Sequence, residues 1–155
     1  MDPVTAVGLV ASIIQLIDAT VTAIKYLNDV KDAPKDRSKL ALEATSLLVL
    51  LTDLRYKVEE VRATDPWLTA VGSLGVEKGP LEQFRDAMET LIRKLKPSTG
   101  MRRLGIGLLW SLDKKEIDDI LSKIDRLKSL IGLALQSDHL YVSKQTPIWP
   151  SLYMN

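Results

Sequence analysis

The run Pro3–Ile17, Pro-Val-Thr-Ala-Val-Gly-Leu-Val-Ala-Ser-Ile-Ile-Gln-Leu-Ile, carries no charged side chain, and Asp18 is the only charge between it and Lys25. On a helical wheel Thr5, Gly8, Ser12, Gln15, Asp18 and Thr22 fall three or four apart. They make one narrow stripe of polar and small positions, and nearly everything else is apolar. A helix apolar over most of its circumference belongs in a protein core or in a bilayer. Any fold for this chain has to house that surface. Which of the two environments houses it, and when, is the functional question the sequence poses.

A helix needs about 20 apolar residues to cross a bilayer. Val4–Ile24 has that length at the cost of one aspartate, roughly 2.5–3.5 kcal/mol on insertion scales. The segment is too polar for a constitutive span and apolar enough for a conditional one. Met1-Asp2-Pro3 is acidic where a secretory signal requires a basic start, and no small-residue cleavage site follows. The expectation is a cytoplasmic protein.

Asp2-Pro3 is a good helix start, with Asp capping and Pro at the first helical position. The first helix is expected from Pro3 to about Val30, where Asp32-Ala33-Pro34 stops it. A second helix begins near Pro34 on a seam of Leu40, Ala44, Leu47, Leu51, Leu54, Val58 and Val61. Steps of four and three are the spacing of left-handed bundle packing. Lys57, Glu59, Glu60 and Arg62 lie off it and are expected in solvent. Asp65-Pro66-Trp67 caps and starts a short helix, with Trp67 read as a plug over one end of the core. Gly72–Gly79 reads as a loop. Pro80 opens a third long helix on Leu81, Phe84, Met88, Leu91 and Leu95, and Pro97 closes it. Asp113 and Glu116 fit a capping box. The last long helix then runs to about Leu140 on Ile117, Ile120, Ile124, Leu127, Ile131 and Ala134, widened by Leu121, Leu130, Leu133 and Leu135. Its uncharged half, Ser129–Ser137, is the expected partner of the first helix, receiving Val7, Val10, Ile14, Ile17, Val21 and Ile24. Residues 141–155 read as a poorly ordered tail after a domain of residues 1–140. No stretch alternates as strands do. The expected architecture is all-α, a bundle of four long helices plus one short helix.

Lys96–Leu112 is the least regular part. Arg93, Lys94, Lys96, Arg102 and Arg103 are positive with no acid among them, and an apolar, Gly-broken run to Trp110 follows. One reading is a solvated connector that folds Leu104, Leu108 and Trp110 onto the bundle. The other is a lipid-facing loop, since each Lys or Arg near an anionic leaflet contributes about 1 kcal/mol.

The chemistry-bearing inventory is thin. His139 is the only histidine and there is no cysteine, so disulfides and thiolate metal sites are excluded. There is no Glu-x-x-His pair for a di-iron centre, no Gly-x-Ser-x-Gly elbow and no phosphate loop. A formal charge of +1 and 5% aromatics argue against a nucleic-acid binder. No catalytic residue, metal ligand or cofactor is expected, and the chain does not read as an enzyme.

Several blocks together resemble the fungal N-terminal domain of STAND/NLR-type proteins, the HeLo-like class. They are the Met-Asp-Pro opening into an apolar helix, Tyr26-Leu-Asn-Asp-Val-Lys-Asp-Ala-Pro-Lys-Asp-Arg37, Asp65-Pro-Trp-Leu-Thr-Ala-Val71, Gly79-Pro-Leu-Glu-Gln-Phe84, Asp113-Lys-Lys-Glu-Ile-Asp-Asp-Ile120 and Ile124-Asp-Arg-Leu-Lys-Ser-Leu-Ile-Gly-Leu-Ala-Leu-Gln136. The resemblance covers about residues 1–140. It implies a HeLo-like effector bundle at the front of a nucleotide-driven receptor of innate immunity or heterokaryon incompatibility. Such a bundle is held inactive, then released by oligomerisation to attack the plasma membrane in programmed cell death. The family's membrane-active segment falls on Val4, Val7, Leu9, Val10, Ile13, Ile14, Leu16 and Ile17. The implied partners are further copies of the chain, anionic plasma-membrane lipids and a NACHT/NB-ARC domain in cis or in trans. The ATPase and repeat sensor that follow such domains are not in this chain. An excised domain, a truncated product or a stand-alone relative is therefore expected. The rival expectation is a non-lytic helical interaction module of a STAND ATPase.

Overall fold

The computed structural model describes residues 3–30, 34–95 and 110–145, with side chains in the first and last helices from 6 onward and up to 137. The elements are α1 (Pro3–Asp29), α2 (Asp36–Glu60), α3 (Pro66–Gly72), a single 3-10 turn (Ser73–Gly75), α4 (Pro80–Leu95) and α5 (Lys114–Gln145). Among the described residues the chain is all-α, four long helices and one short one.

Each long helix after the first buries the face its spacing marks. On α2, Leu40, Ala44, Leu47, Leu51, Leu54 and Val58 are buried, and Val61 just past its end is half-buried. On α4, Leu81, Phe84, Met88, Leu91 and Leu95 are buried, joined by Ala87. On α5, Ile117, Ile120, Ile124, Leu127 and Ile131 are buried and Ala134 packs against them half-buried. Leu133 departs from the expected widening of that seam and is exposed. Off the α2 seam Glu59, Glu60 and Arg62 are exposed, whereas Lys57 is half-buried.

The helix ends have local causes. Asp65 accepts the backbone N–H of Trp67 at 2.9 Å, as an N-cap should. The N–H of Glu116 donates to Asp113 Oδ1 at 2.8 Å, and the Asp113 N–H donates to Glu116 Oε1 at 3.3 Å, which completes the expected capping box. Gly72–Gly79 is less of a loop than expected. Helix α3 continues through Gly72 into the 3-10 turn, and only the segment that follows reverses the chain. Lys78 there is left-handed, with φ of 59°. A Cβ on Gly79 would stand 2.8 Å from the Val76 carbonyl oxygen, so the turn closes only around glycine. The last helix runs past its expected end near Leu140 to Gln145. The rest of the expected tail, 146–155, lies outside the described residues.

Packing order differs from the expectation in one respect that matters. Helix α1 lies against α2 and α4, and α5 covers the other sides of α2 and α4. Thus α1 and α5 occupy opposite corners of the bundle, and α5 is not the principal partner of α1. The reason is connectivity. Arg37 Nη1 reaches the Asn28 carbonyl at 3.5 Å across the short α1–α2 link, which makes those two helices antiparallel neighbours. Arg85 Nη1 donates to Gln15 Oε1 at 2.8 Å, and Ser12, one turn earlier on α1, lines a cleft with Leu81, one turn earlier on α4, so α4 lies alongside α1 in the same direction. The chain must therefore cross one end of the bundle between α2 and α4. Helix α3 makes that crossing, and Trp67, Leu68, Val71 and Leu74 are all buried there. Trp67 is the plug the sequence suggested. Its Nε1–H donates to the Ala134 carbonyl at 2.7 Å, so its polar edge is satisfied by α5.

Candidate functional site

Helix α1 is, among the described residues, the one helix long and apolar enough to cross a membrane by length and composition. Within Ala6–Asp29 an 18-residue stretch reaches a mean hydropathy of 1.9. Only 28% of that stretch is buried. The residues nominated from the sequence divide accordingly. Leu9, Ile13 and Leu16 are buried in the core, continued by Ala23, Leu27 and Val30. Val10, Ile14 and Ile17 are half-buried, and Val7 is 69% exposed. Val4 lies in the first turn of α1, outside the described side chains. The set expected against the last helix is thereby corrected. Val7 and Val21 face solvent, and the inward face instead carries Leu9, Ile13, Leu16, Thr20 and Ala23. Thr20 is tolerated there because its hydroxyl donates to the Leu16 carbonyl at 2.7 Å.

The small and polar stripe does what its composition suggests. Gly8, Gln15 and Asp18 are exposed, and Ser12 and Thr22 are half-buried. Beside it, Val7 and Val10 line an open apolar groove of about 370 Å³ with Val58, Val61 and Leu68. The groove lies between the start of α1, the end of α2 and α3. The α3 end approaches α1 closely, since a Cβ on Gly75 would stand 2.8 Å from Leu9 Cδ1.

Of the basic residues nominated from the sequence, Arg93 and Lys94 are described. Lys94 forms an ion pair with Glu116, and the Lys94 carbonyl accepts the Ser111 hydroxyl. These contacts fasten the end of α4 to the start of α5. Arg93 is exposed and reaches Thr90 Oγ1 at 3.3 Å. Lys96, Arg102 and Arg103 lie outside the described residues, as do Leu104 and Leu108. Trp110 folds back onto the core as the connector reading expects, half-buried, and Leu112, which that reading did not name, is buried beside it. The backbone N–H of Glu116, with its side chain and the Lys94 charge in support, holds the Asp113 carboxyl below its ordinary value.

A second cleft, about 210 Å³, is lined by Asp86, Thr90, Glu116, Asp119 and Lys123. Two of its three acids face cations of the same cleft or its rim: Glu116 meets Lys94, and Asp119 meets Lys123 at 3.1 Å. Among the described residues no group of three or more His, Cys, Asp or Glu is placed to hold a metal ion.

One surface escaped the sequence reading. Leu42, Val49 and Tyr56 are 65%, 57% and 66% exposed, on the side of α2 away from its core seam. Their seven-residue spacing was available in the sequence. The stronger Leu40–Val58 seam on the same helix masks it.

What the fold defines is a class, an all-α bundle of four long helices with a short helix crossing one end. No protein-family model matches the chain, and no curated protein or solved structure matches it either.

Proposed function

We propose that this chain is a HeLo-like effector domain of a fungal NLR-type receptor, which permeabilises membranes through α1 to execute regulated cell death. It is cytoplasmic at rest and recruited to anionic plasma membrane on activation, as copies assemble under a NACHT/NB-ARC domain. The observation that carries the reading is the surplus of apolar surface on α1. The helix contains an apolar stretch long enough to cross a bilayer, yet the bundle buries one face of it.

Burial sets how such a helix would act. Leu9, Ile13, Leu16, Leu27 and Val30 are held in the core. At ~1.5–3 kcal/mol for each fully buried large aliphatic side chain, their withdrawal costs on the order of 10 kcal/mol. That is the scale of a whole domain's stability, about 5–15 kcal/mol. Insertion of α1 therefore requires the bundle to open, and lipid or neighbouring copies must supply the compensating burial. The exposed Val7 and Val21 offer a first contact that leaves the bundle closed.

Dye release from anionic liposomes tests this. Leu9 and Ile13 are unsuitable sites for the decisive variant, because glutamates there would unfold the resting bundle. Val7→Glu/Val21→Glu alters exposed positions only. Leakage by the wild-type chain, lost in this variant while its helical circular dichroism is retained, is the expected result. Equal leakage from both proteins would overturn the role of α1. A wild-type chain that leaves vesicles intact and stays in the supernatant would favour the non-lytic interaction module, for which the exposed Leu42–Val49–Tyr56 row on α2 is the supporting observation.

A further inference from the structure

The outer face of α2 is built as a second seam. Leu42, Thr45, Val49, Thr52 and Tyr56 are all exposed and step by three and four, the a/d spacing of a helix that packs against another helix. The two threonines do not break this face. Thr45 Oγ1 donates to the Ala41 carbonyl at 2.7 Å, and Thr52 Oγ1 donates to the Leu48 carbonyl at 2.8 Å. Both hydroxyls are thus satisfied within α2, and covering them leaves no unpaired donor. A face of this kind loses little when water is removed.

Charge decides what fits on it. The exposed charges near the start of α2 are Lys35 and Lys39; toward its end Asp53, Glu59 and Glu60 are exposed, and the exposed Arg62 follows just past it. Arg55 already engages Glu59 at 3.1 Å, and Glu60 is exposed beside it. A second α2 running parallel would set lysines on lysines and glutamates on glutamates. An antiparallel one, turned about a twofold axis at Val49, sets Val49 on Val49, Leu42 beside Tyr56, and Lys39 near Glu60. The surface is self-complementary in that arrangement, which is the requirement of a closed twofold pair. We infer that the outer face of α2 is a homotypic docking surface, on which two copies of this chain pair antiparallel through Leu42, Val49 and Tyr56. This goes beyond the membrane reading and stands without it, because the seam of α1 is not used. The row spans roughly 21 Å at ~1.5 Å per residue. So short a seam gives a pair that forms and parts with concentration.

Sedimentation velocity on the full chain, from about micromolar to millimolar, is the test, with vesicle sedimentation beside it. A concentration-dependent dimer is expected. Val49→Lys, at an exposed site that leaves the fold intact, should weaken it at least about tenfold. Lys39→Glu and Glu60→Lys should each weaken it, and the two together should restore it, because the reversed charges again face each other. That rescue is specific to the antiparallel pair. A chain that stays monomeric throughout, a dimer indifferent to Val49→Lys, or charge reversals that add rather than cancel would each overturn the inference. Vesicle binding lost through Val49→Lys in a monomeric chain would assign the face to lipid instead, and would overturn it too.

Discussion

Helices α1 and α4 lie side by side in the bundle and solve the burial problem in opposite ways. On α4 every large apolar residue of its repeat, from Leu81 to Leu95, is buried, and Glu82, Asp86, Glu89, Arg93 and Lys94 take the rest of the surface. Its sequence admits one orientation. Helix α1 is apolar nearly all round, and the bundle chooses one face of it, leaving Val7 and Val21 in solvent. A helix such as α4 has one stable environment. A helix such as α1 has no polar half to fix which side is buried, and the core holds it through Leu9, Ile13, Leu16, Ala23 and Leu27. That asymmetry is the physical basis for reading α1 as the part that changes partners.

Charging the two faces of α1 separately should give the largest difference. Ile13→Glu places a carboxylate at a position with no exposure and no partner, and should cost upwards of about 5 kcal/mol, enough to abolish cooperative unfolding. The same change at Val7 should stay within about 0.5 kcal/mol of wild type in urea denaturation. Similar costs at both sites would mean that α1 is anchored as completely as α4. On the α4 side, Phe84→Ala should cost about 3–5 kcal/mol, because a fully buried ring leaves a cavity that its helix cannot close by turning another apolar face inward. A much smaller loss would show that α4 too has spare apolar surface.

The smallest effect belongs to the junction where α4 hands over to α5. The Glu116 N–H lowers the Asp113 carboxyl from its ordinary value of 3.8. A carboxyl lowered on folding contributes stability above its ordinary value and loses it as pH falls through the lowered one. Asp113→Asn keeps a capping side chain that does not titrate. It should leave stability near pH 7 almost unchanged and flatten its decline below about pH 3.8, read from denaturant midpoints across that range. An unchanged acid slope would remove the cap from the account of this junction.

Much of the molecule follows from the order of its residues alone. The seams of α2, α4 and α5, the caps at Asp65 and Asp113, and the burial of Trp67 rest on spacing within a turn or two. Local periodicity decides such features before any helix meets another. Spacing could not decide which side of α1 is buried, since a circumference without a polar half carries no period to read. Nor could it decide that α1 stands diagonal to α5. That arrangement comes from the crossing made by α3, a property of the whole chain path. It also hid the pairing of Lys94 with Glu116, two residues brought together only when α4 and α5 fold back on each other. The periodic pattern fixes what each helix must bury. The assembled bundle fixes what it leaves uncovered, because exposure is a property of neighbours, and neighbours are chosen only in three dimensions.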